Sequence, residues 1–217
     1  MYNYYLFDLD GTITQSEFGI IDSAVYALEK FNIKVEDRSS LKRFIGPPLF
    51  VTFHELYGFS EQDAEQAVVY FREFYNREGI YNAPLYDGVK ETLEKLKAQG
   101  KKLAIATSKP KPLADVVIKH SGLWETFDAV IGPTLEKKKV EKRDQILEAL
   151  SALGVREEQY GEALMVGDRH YDIDAARDVG IDSVGVLYGY GSEEELTQAG
   201  ATFLVRDIRE LLLCNHP

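Results

Sequence analysis

The N-terminal stretch Tyr2-Asn3-Tyr4-Tyr5-Leu6-Phe7 runs directly into Asp8-Leu9-Asp10-Gly11-Thr12. Its apolar, aromatic first part predicts a buried strand over residues 2–9. It ends in two carboxylates one residue apart. In a parallel α/β sheet, ligands bind outside the carboxyl ends of the strands. The side-chain period of two points Asp8 and Asp10 the same way while the chain stays extended. Carboxylates that close repel, and one pKa rises unless a cation neutralises the pair. A hard divalent ion, magnesium above all, is the natural partner. A strand that ends in an ordinary Asp-Gly turn accounts for the same residues, and this stretch alone does not decide between the two.

The rest of the chain supplies context. From Phe18 to about Asn32, apolar residues recur at three- and four-residue spacing, which predicts a helix. Ser39 or Ser40 can cap a short helix holding Leu41 and Phe44, and Gly46-Pro47-Pro48 stops it. Residues 49–57 read as a further short helix, and Ser60 opens a long one through Arg77. The block 14–83 is therefore helical. After it, strands and helices alternate. Strands are predicted at 102–108, 127–132, 163–168, 183–189 and 202–205. Helices are predicted at 89–99, 113–120, up to Leu153, 172–179, 192–198 and 208–213. Alternation of this kind argues a doubly wound parallel sheet of Rossmann type. Residues 1–13 and 84–217 would form that α/β core, with 14–83 inserted as an all-helical domain.

Composition narrows the partners. The 217 residues are 45% hydrophobic with a net charge of -11, room for a sizeable core and ordinary for a globular protein. The acidic balance argues against general affinity for nucleic acid or anionic membranes. It leaves room for a small anionic substrate at a locally basic site. Cys214 is the single cysteine, so no disulfide can form within the chain. No stretch has the length of a membrane span, and the N-terminus lacks the basic start of a signal peptide. A cytoplasmic protein is the expectation.

The residues at the strand ends form one set: Asp8, Asp10 and Thr12; Thr107 and Ser108 with Lys109 behind them; a lysine entering a helix; and Asp168 with Arg169 and Asp172. A random scatter of acids and lysines would rarely fall so. The chain here resembles the haloacid dehalogenase-like phosphohydrolase superfamily. Asp8-Leu9-Asp10-Gly11-Thr12 matches its first motif, Ala106-Thr107-Ser108 the second, Lys142 the third and Gly167-Asp168-Arg169-His170-Tyr171-Asp172 the fourth. The insertion, with Phe44-Ile45-Gly46-Pro47-Pro48-Leu49, is similar to the helical cap of the phosphoglycolate phosphatase-like branch.

That resemblance implies a magnesium-dependent phosphatase. Asp8 would be the nucleophile that becomes an aspartyl phosphate, and Asp10 the general acid and base. Magnesium would be held by Asp8, Asp168 and the backbone carbonyl of Asp10, with Asp172 in support. Thr107 would hydrogen-bond the phosphoryl group, with Gly11, Thr12 and Ser108 around it, and Lys142 would neutralise charge on Asp8 and phosphate. Lys137, Lys138 and Lys139 compete with Lys142 for that role. Lys109 and Arg43 are candidates for a second anionic group of the substrate, and the cap would close over the site. A surface role is the plainer reading for His170, a surface or satisfied core role for His54, His120 and His216, a core role for the cap aromatics, and a Gly-rich turn for Tyr188-Gly189-Tyr190-Gly191. Phosphoglycolate is the first substrate to consider. Nucleoside monophosphates, pyrophosphate, sugar phosphates and phosphomutase activity stay open, as does assembly as monomer or dimer. A phospho-acceptor signalling domain would use a similar set of residues, but the long helical insertion argues against it.

Overall fold

The computed structural model describes residues 2–45, 49–135 and 140–214. The chain forms two compact units, one of the residues up to Gln15 together with those from Pro84 onward, the other Ser16–Ala83. β1 is Tyr4–Phe7. The second unit follows, with α1 (Glu17–Glu29), a 3-10 helix (Arg38–Phe44), α2 (Leu49–Val51) continuing as a π turn (Thr52–Leu56), α3 (Glu61–Arg77) and a 3-10 turn (Gly79–Tyr81). The first unit resumes with α4 (Val89–Ala98), β2 (Lys102–Ala106), α5 (Lys111–His120), β3 (Ala129–Ile131) and α6 (Lys142–Ala152). It ends with β4 (Ala163–Gly167), α7 (His170–Val179), β5 (Asp182–Val186), α8 (Glu193–Ala199), β6 (Phe203–Val205) and a closing 3-10 helix (Ile208–Leu213).

The strands make one parallel sheet in the order β3-β2-β1-β4-β5-β6. This is the doubly wound order, in which the two halves diverge from β1. Helices cover both faces of such a sheet, so its inner strands must be apolar on both. On one face Leu6, Ala104, Met165 and Ala163 pack with Ile146 and Leu150 of α6 and Ala175 and Ala176 of α7. On the other, Tyr5 stacks on Phe7 at 6.4 Å, and Phe127 meets Phe7 edge-on at 6.1 Å.

Register places the site. Phe7 is level with Ile105 of β2 and with Val166 of β4. Asp8 is therefore level with Ala106 and Gly167, and Thr107 and Asp168 follow one residue later. Asp8 still donates its N–H to Val166 O at 2.9 Å, and Thr107 its N–H to Ile131 O at 3.0 Å. Every strand is shorter than its apolar run. Asp8 and Thr107 each keep one N–H bond to the neighbouring strand, and Ser108, Asp168 and Tyr188 lie beyond the ladder, where the side-chain oxygens of Asp168 and Tyr188 bond the turns.

The second unit is helical, and α1 packs along α3 through Ala24, Ala27, Leu28, Ala64, Ala67 and Phe71, all buried. Gly19 and Gly79 allow the backbones to touch: a Cβ on Gly19 would collide with Gly79 O. Phe53 is fully buried and stacks on Phe59 at 6.0 Å, so this aromatic group is core. Ser60 Oγ accepts the Asp63 N–H at 3.1 Å and caps α3 as expected. The 3-10 helix Arg38–Phe44 departs from expectation. Its cap is Asp37, whose carboxylate accepts the Ser39 N–H at 2.8 Å, and not either serine. α5 also begins two residues earlier than its apolar spacing suggests. Pro112 sits in the first turn, where a missing N–H costs nothing. The Gly46-Pro47-Pro48 loop and His216 lie outside the described residues.

Candidate active site

The turn after β1 explains how two acids so near in sequence part company. Gly11 takes a left-handed conformation, φ +90°, and its N–H donates to Thr14 O at 2.9 Å. A side chain there would also collide with Asp168 Oδ2. The Asp-Gly turn and the acidic site are therefore one feature, since the turn makes the space that Asp168 occupies.

Beyond the turn, the carboxylates of Asp8 and Asp10 meet different cations. Lys142, the first residue of α6, is 8% exposed. Its Nζ lies 2.6 Å from Asp8 Oδ1 and 2.7 Å from Asp172 Oδ1. The Asp10 carboxylate faces Lys109 instead, with Nζ 2.9 Å and 3.1 Å from its two oxygens. Asp8, Asp168 and Asp172 each bring an oxygen within 4.8 Å of the others. The Asp10 side chain is not one of this trio.

Asp168 is fully buried and held at both oxygens. Thr12 Oγ1 donates to Oδ1 at 3.1 Å, and the Tyr190 N–H donates to Oδ2 at 2.8 Å. Asp172 Oδ2 accepts the Arg169 N–H at 3.1 Å, closing the first turn of α7. Gly167 has no side chain because Asp172 fills that space. Thr107 is buried, and its Oγ1 accepts the Lys109 N–H at 3.2 Å, which orders the second-motif turn. Ser108 is exposed.

Thr12, expected beside the phosphoryl group, is fully buried, and its hydroxyl donates to Asp168. Lys109 reaches the carboxyl-end edge of the sheet, with Asp10 as its partner. Arg43 belongs to the helical unit, exposed in the last turn of its 3-10 helix. Lys137, Lys138 and Lys139 lie outside the described residues. His170 is half-buried, with Nδ1 3.0 Å from Asp174 Oδ2. What sequence reasoning passed over is the loop after β5. Tyr188 OH donates to Thr12 O at 2.9 Å, and Tyr190 supplies the amide on Asp168. The signal was two glycines alternating with tyrosines directly after a strand end, where a backbone must approach something closely.

Of the three carboxylates only Asp8 and Asp172 touch the Lys142 ammonium, and the pKa values reflect it. Burial, only partly offset by Lys142 and reinforced by Asp172, pushes Asp8 up to about 6. Burial and then the carboxylates of Asp172 and Asp8 push Asp168 up to about 8, despite the hydrogen bonds from Tyr190 and Thr12. Burial works against the Lys142 ammonium, but Asp172 and Asp8 outweigh it and hold its pKa above the ordinary lysine value. Such a group of hard oxygen donors, short of positive charge and reluctant to ionise, fits a divalent cation.

A pH prediction follows. Asp8 and Asp168 hold protons in the folded chain at pH values where the unfolded chain has released them. Their contribution is therefore lost as pH rises above the ordinary carboxylate value toward about 6 and about 8. In chelator, the contribution of the two acids to the melting temperature should fall between roughly pH 4 and 8, and Asp168→Asn should flatten the part of that fall above about pH 6. Thermal melts of both proteins across that range check this. An equally steep fall in the variant would refute it.

The family model of the haloacid dehalogenase-like hydrolases matches residues 5–186. The chain belongs to that family. Among relatives of this hydrolase, a 5'-nucleotidase of Pseudomonas aeruginosa is 38% identical over 210 residues, covering 97% of this chain and 94% of its own. Tyrosine-protein kinase PtkA of Mycobacterium tuberculosis is 34% identical over 212 residues, covering 95% of this chain and 71% of its own. The crystal structure of a candidate phosphatase from Clostridium difficile superposes with a TM-score of 0.93 at 41% identity, covering 97% of both chains. The haloacid dehalogenase-like hydrolase described here is a phosphatase with the doubly wound core of that family. Among the described residues, no helix is long and apolar enough to cross a membrane.

Proposed function

We propose that this phosphatase is a magnesium-dependent phosphomonoesterase that hydrolyses a small phosphorylated metabolite through a phosphoryl group carried on Asp8. The observation that carries the reading is the separation of the two acids. Asp8 lies against Lys142 inside the carboxylate cluster, whereas Asp10 is turned to Lys109. A nucleophile and a proton shuttle need different surroundings of this kind.

In this reading an Asp8 oxygen attacks phosphorus, and the bond from phosphorus to the leaving oxygen breaks. Asp10 gives that oxygen its proton. Asp10, now a carboxylate, takes a proton from a water whose oxygen attacks phosphorus in turn. The Asp8 oxygen–phosphorus bond breaks, inorganic phosphate forms and both acids are restored. Lys142 neutralises charge as the anions approach, and Thr107 steadies the phosphoryl oxygens, helped by the backbone amides of the turns. Asp8, Asp168 and the Asp10 carbonyl, supported by Asp172, would hold magnesium, which supplies charge neutralisation and a template for the phosphate. Lys109 is the candidate for a second anionic group on the substrate.

The substrate panel begins with phosphoglycolate and nucleoside monophosphates, the latter because of the 5'-nucleotidase relative. It continues with pyrophosphate and sugar phosphates. Phosphate release from each is measured with magnesium, then with EDTA. The chelator is expected to lower turnover at least about 100-fold, and magnesium to restore it. Full turnover in EDTA, or phosphoryl transfer to a sugar phosphate or tyrosine without phosphate release, would overturn the reading.

A further inference from the structure

The segment after β5 has no place in the reaction above, yet it touches the buried acid of the site at several points. The Tyr190 N–H donates to Asp168 Oδ2 at 2.8 Å, and Tyr188 OH donates to the carbonyl of Thr12 at 2.9 Å. Thr12 in turn donates to the other Asp168 oxygen at 3.1 Å. Gly189 lies so close that a Cβ would collide with Asp168 Cβ and come within 2.5 Å of Gly11 O. A Cβ on Gly191 would collide with Asp168 O. Four residues on, Glu195 reaches back from α8. Its Oε1 accepts Arg169 Nε–H at 2.8 Å and the His170 N–H at 2.9 Å. Those two residues begin the turn that carries Asp172.

We propose that Tyr188–Glu195 is a positioning element that sets the affinity of the site for a divalent cation, by fixing Asp168 from one side and the start of α7 from the other. The loop acts through the backbone and through the absence of side chains at Gly189 and Gly191; Glu195 acts through a carboxylate that does not itself face the cluster. Asp168 and Asp172 sit four residues apart on one turn. A shift of either would cost part of the binding energy of an ion that needs both, and supporting hydrogen bonds around metal ligands are worth about 10–100-fold in affinity. This inference rests on reading Asp8, Asp168 and Asp172 as a divalent-cation site.

The test is calorimetric titration of the chelator-stripped, full-length protein with magnesium chloride, with a melting temperature for each variant in chelator. Gly189→Ala and Glu195→Ala are expected to weaken magnesium binding about 10–100-fold. Glu195→Gln keeps an oxygen acceptor for the His170 N–H and is expected to remain within about threefold of the wild type. Loss in Glu195→Ala with recovery in Glu195→Gln is a pattern that a purely structural role would not produce. If Gly189→Ala fails to fold, the Glu195 pair carries the test. Wild-type affinity in Glu195→Ala would overturn the positioning role and leave the cation site standing. Absence of magnesium binding by the wild type would overturn both.

Discussion

Asp8→Asn is expected to lower turnover of any accepted phosphate ester by roughly 10⁴-fold or more, while leaving the fold intact and the metal-free protein no less stable than the wild type. The loss in rate follows from chemistry. An amide oxygen is a poor nucleophile toward phosphorus and cannot form the phosphoryl-aspartate. The retained stability follows from the surroundings of this one side chain. Asp8 keeps only 14% of its side chain exposed, and this desolvation with the charge of Asp172 pushes its pKa up to about 6 despite Lys142. Near neutral pH the folded state therefore keeps a charge that it would hold more easily as a neutral group. Asparagine has nearly the same shape and removes that charge, while Lys142 retains Asp172 at 2.7 Å. A residue that serves function at the expense of stability should show opposite signs in the two measurements. Steady-state phosphate release and melting in chelator at pH 8 test both. Substantial turnover by the variant would remove Asp8 from the role of nucleophile, and a large drop in melting temperature would show that the acid is structural.

The contrast between Asp8 and Asp10 also marks how far the sequence could be read. That both acids stand at a strand end was legible, because a run as apolar as Tyr4–Phe7 is at home only in the middle of a parallel sheet. The alternation of strands and helices after Pro84 conveyed the sheet, and its six strands appear where the apolar runs predicted them. Strand ends were less legible. Thr107 and Ser108 look as strand-like as Ile105, but the strand stops at Ala106 and the Thr107 hydroxyl accepts the Lys109 N–H in the turn beyond the sheet. The cap at Asp37 was missed because an acid and two serines within four residues are equally good caps, and only backbone geometry selects one. Which cation each acid would meet was not legible either. Lys109 lies 99 positions from Asp10 and Lys142 lies 134 from Asp8, and their pairing depends on how crossovers return each chain segment to the same edge. The partner of the Thr12 hydroxyl was hidden for a related reason, since it is a carboxylate 156 positions away. The loop Tyr188–Gly191 looked like punctuation, since close backbone approach leaves only an absence of side chains in the sequence.

Lys142→Met is the second substitution with a large expected effect, and here stability and activity should fall together. The ammonium is buried and is the only cation that the described residues place between Asp8 and Asp172. Methionine fills a similar volume, so packing is nearly conserved. What is lost is the charge opposing one buried and one partly buried carboxylate, with the third, Asp168, nearby. Removing one partner of a buried ionic group costs about 3–5 kcal/mol when the remaining charges stay ionised. They need not stay ionised, because a carboxylate deprived of its cation takes up a proton in the folded state. Such a group adds stability at low pH that is lost as pH rises. The destabilisation of Lys142→Met in chelator should therefore approach the full value near pH 8 and shrink near pH 5. Urea denaturation of variant and wild type at both values measures it. A penalty of equal size at the two pH values would mean that lost packing, and not unopposed charge, accounts for the effect. Turnover should also fall, on the order of 10³-fold with saturating magnesium, because a phosphate dianion must then approach Asp8 without the fixed positive charge. Magnesium should return part of the stability at pH 8, since a divalent ion among the three carboxylates opposes the same charge that lysine did. It should not return the rate, because the ion cannot also occupy the position of the ammonium between Asp8 and Asp172.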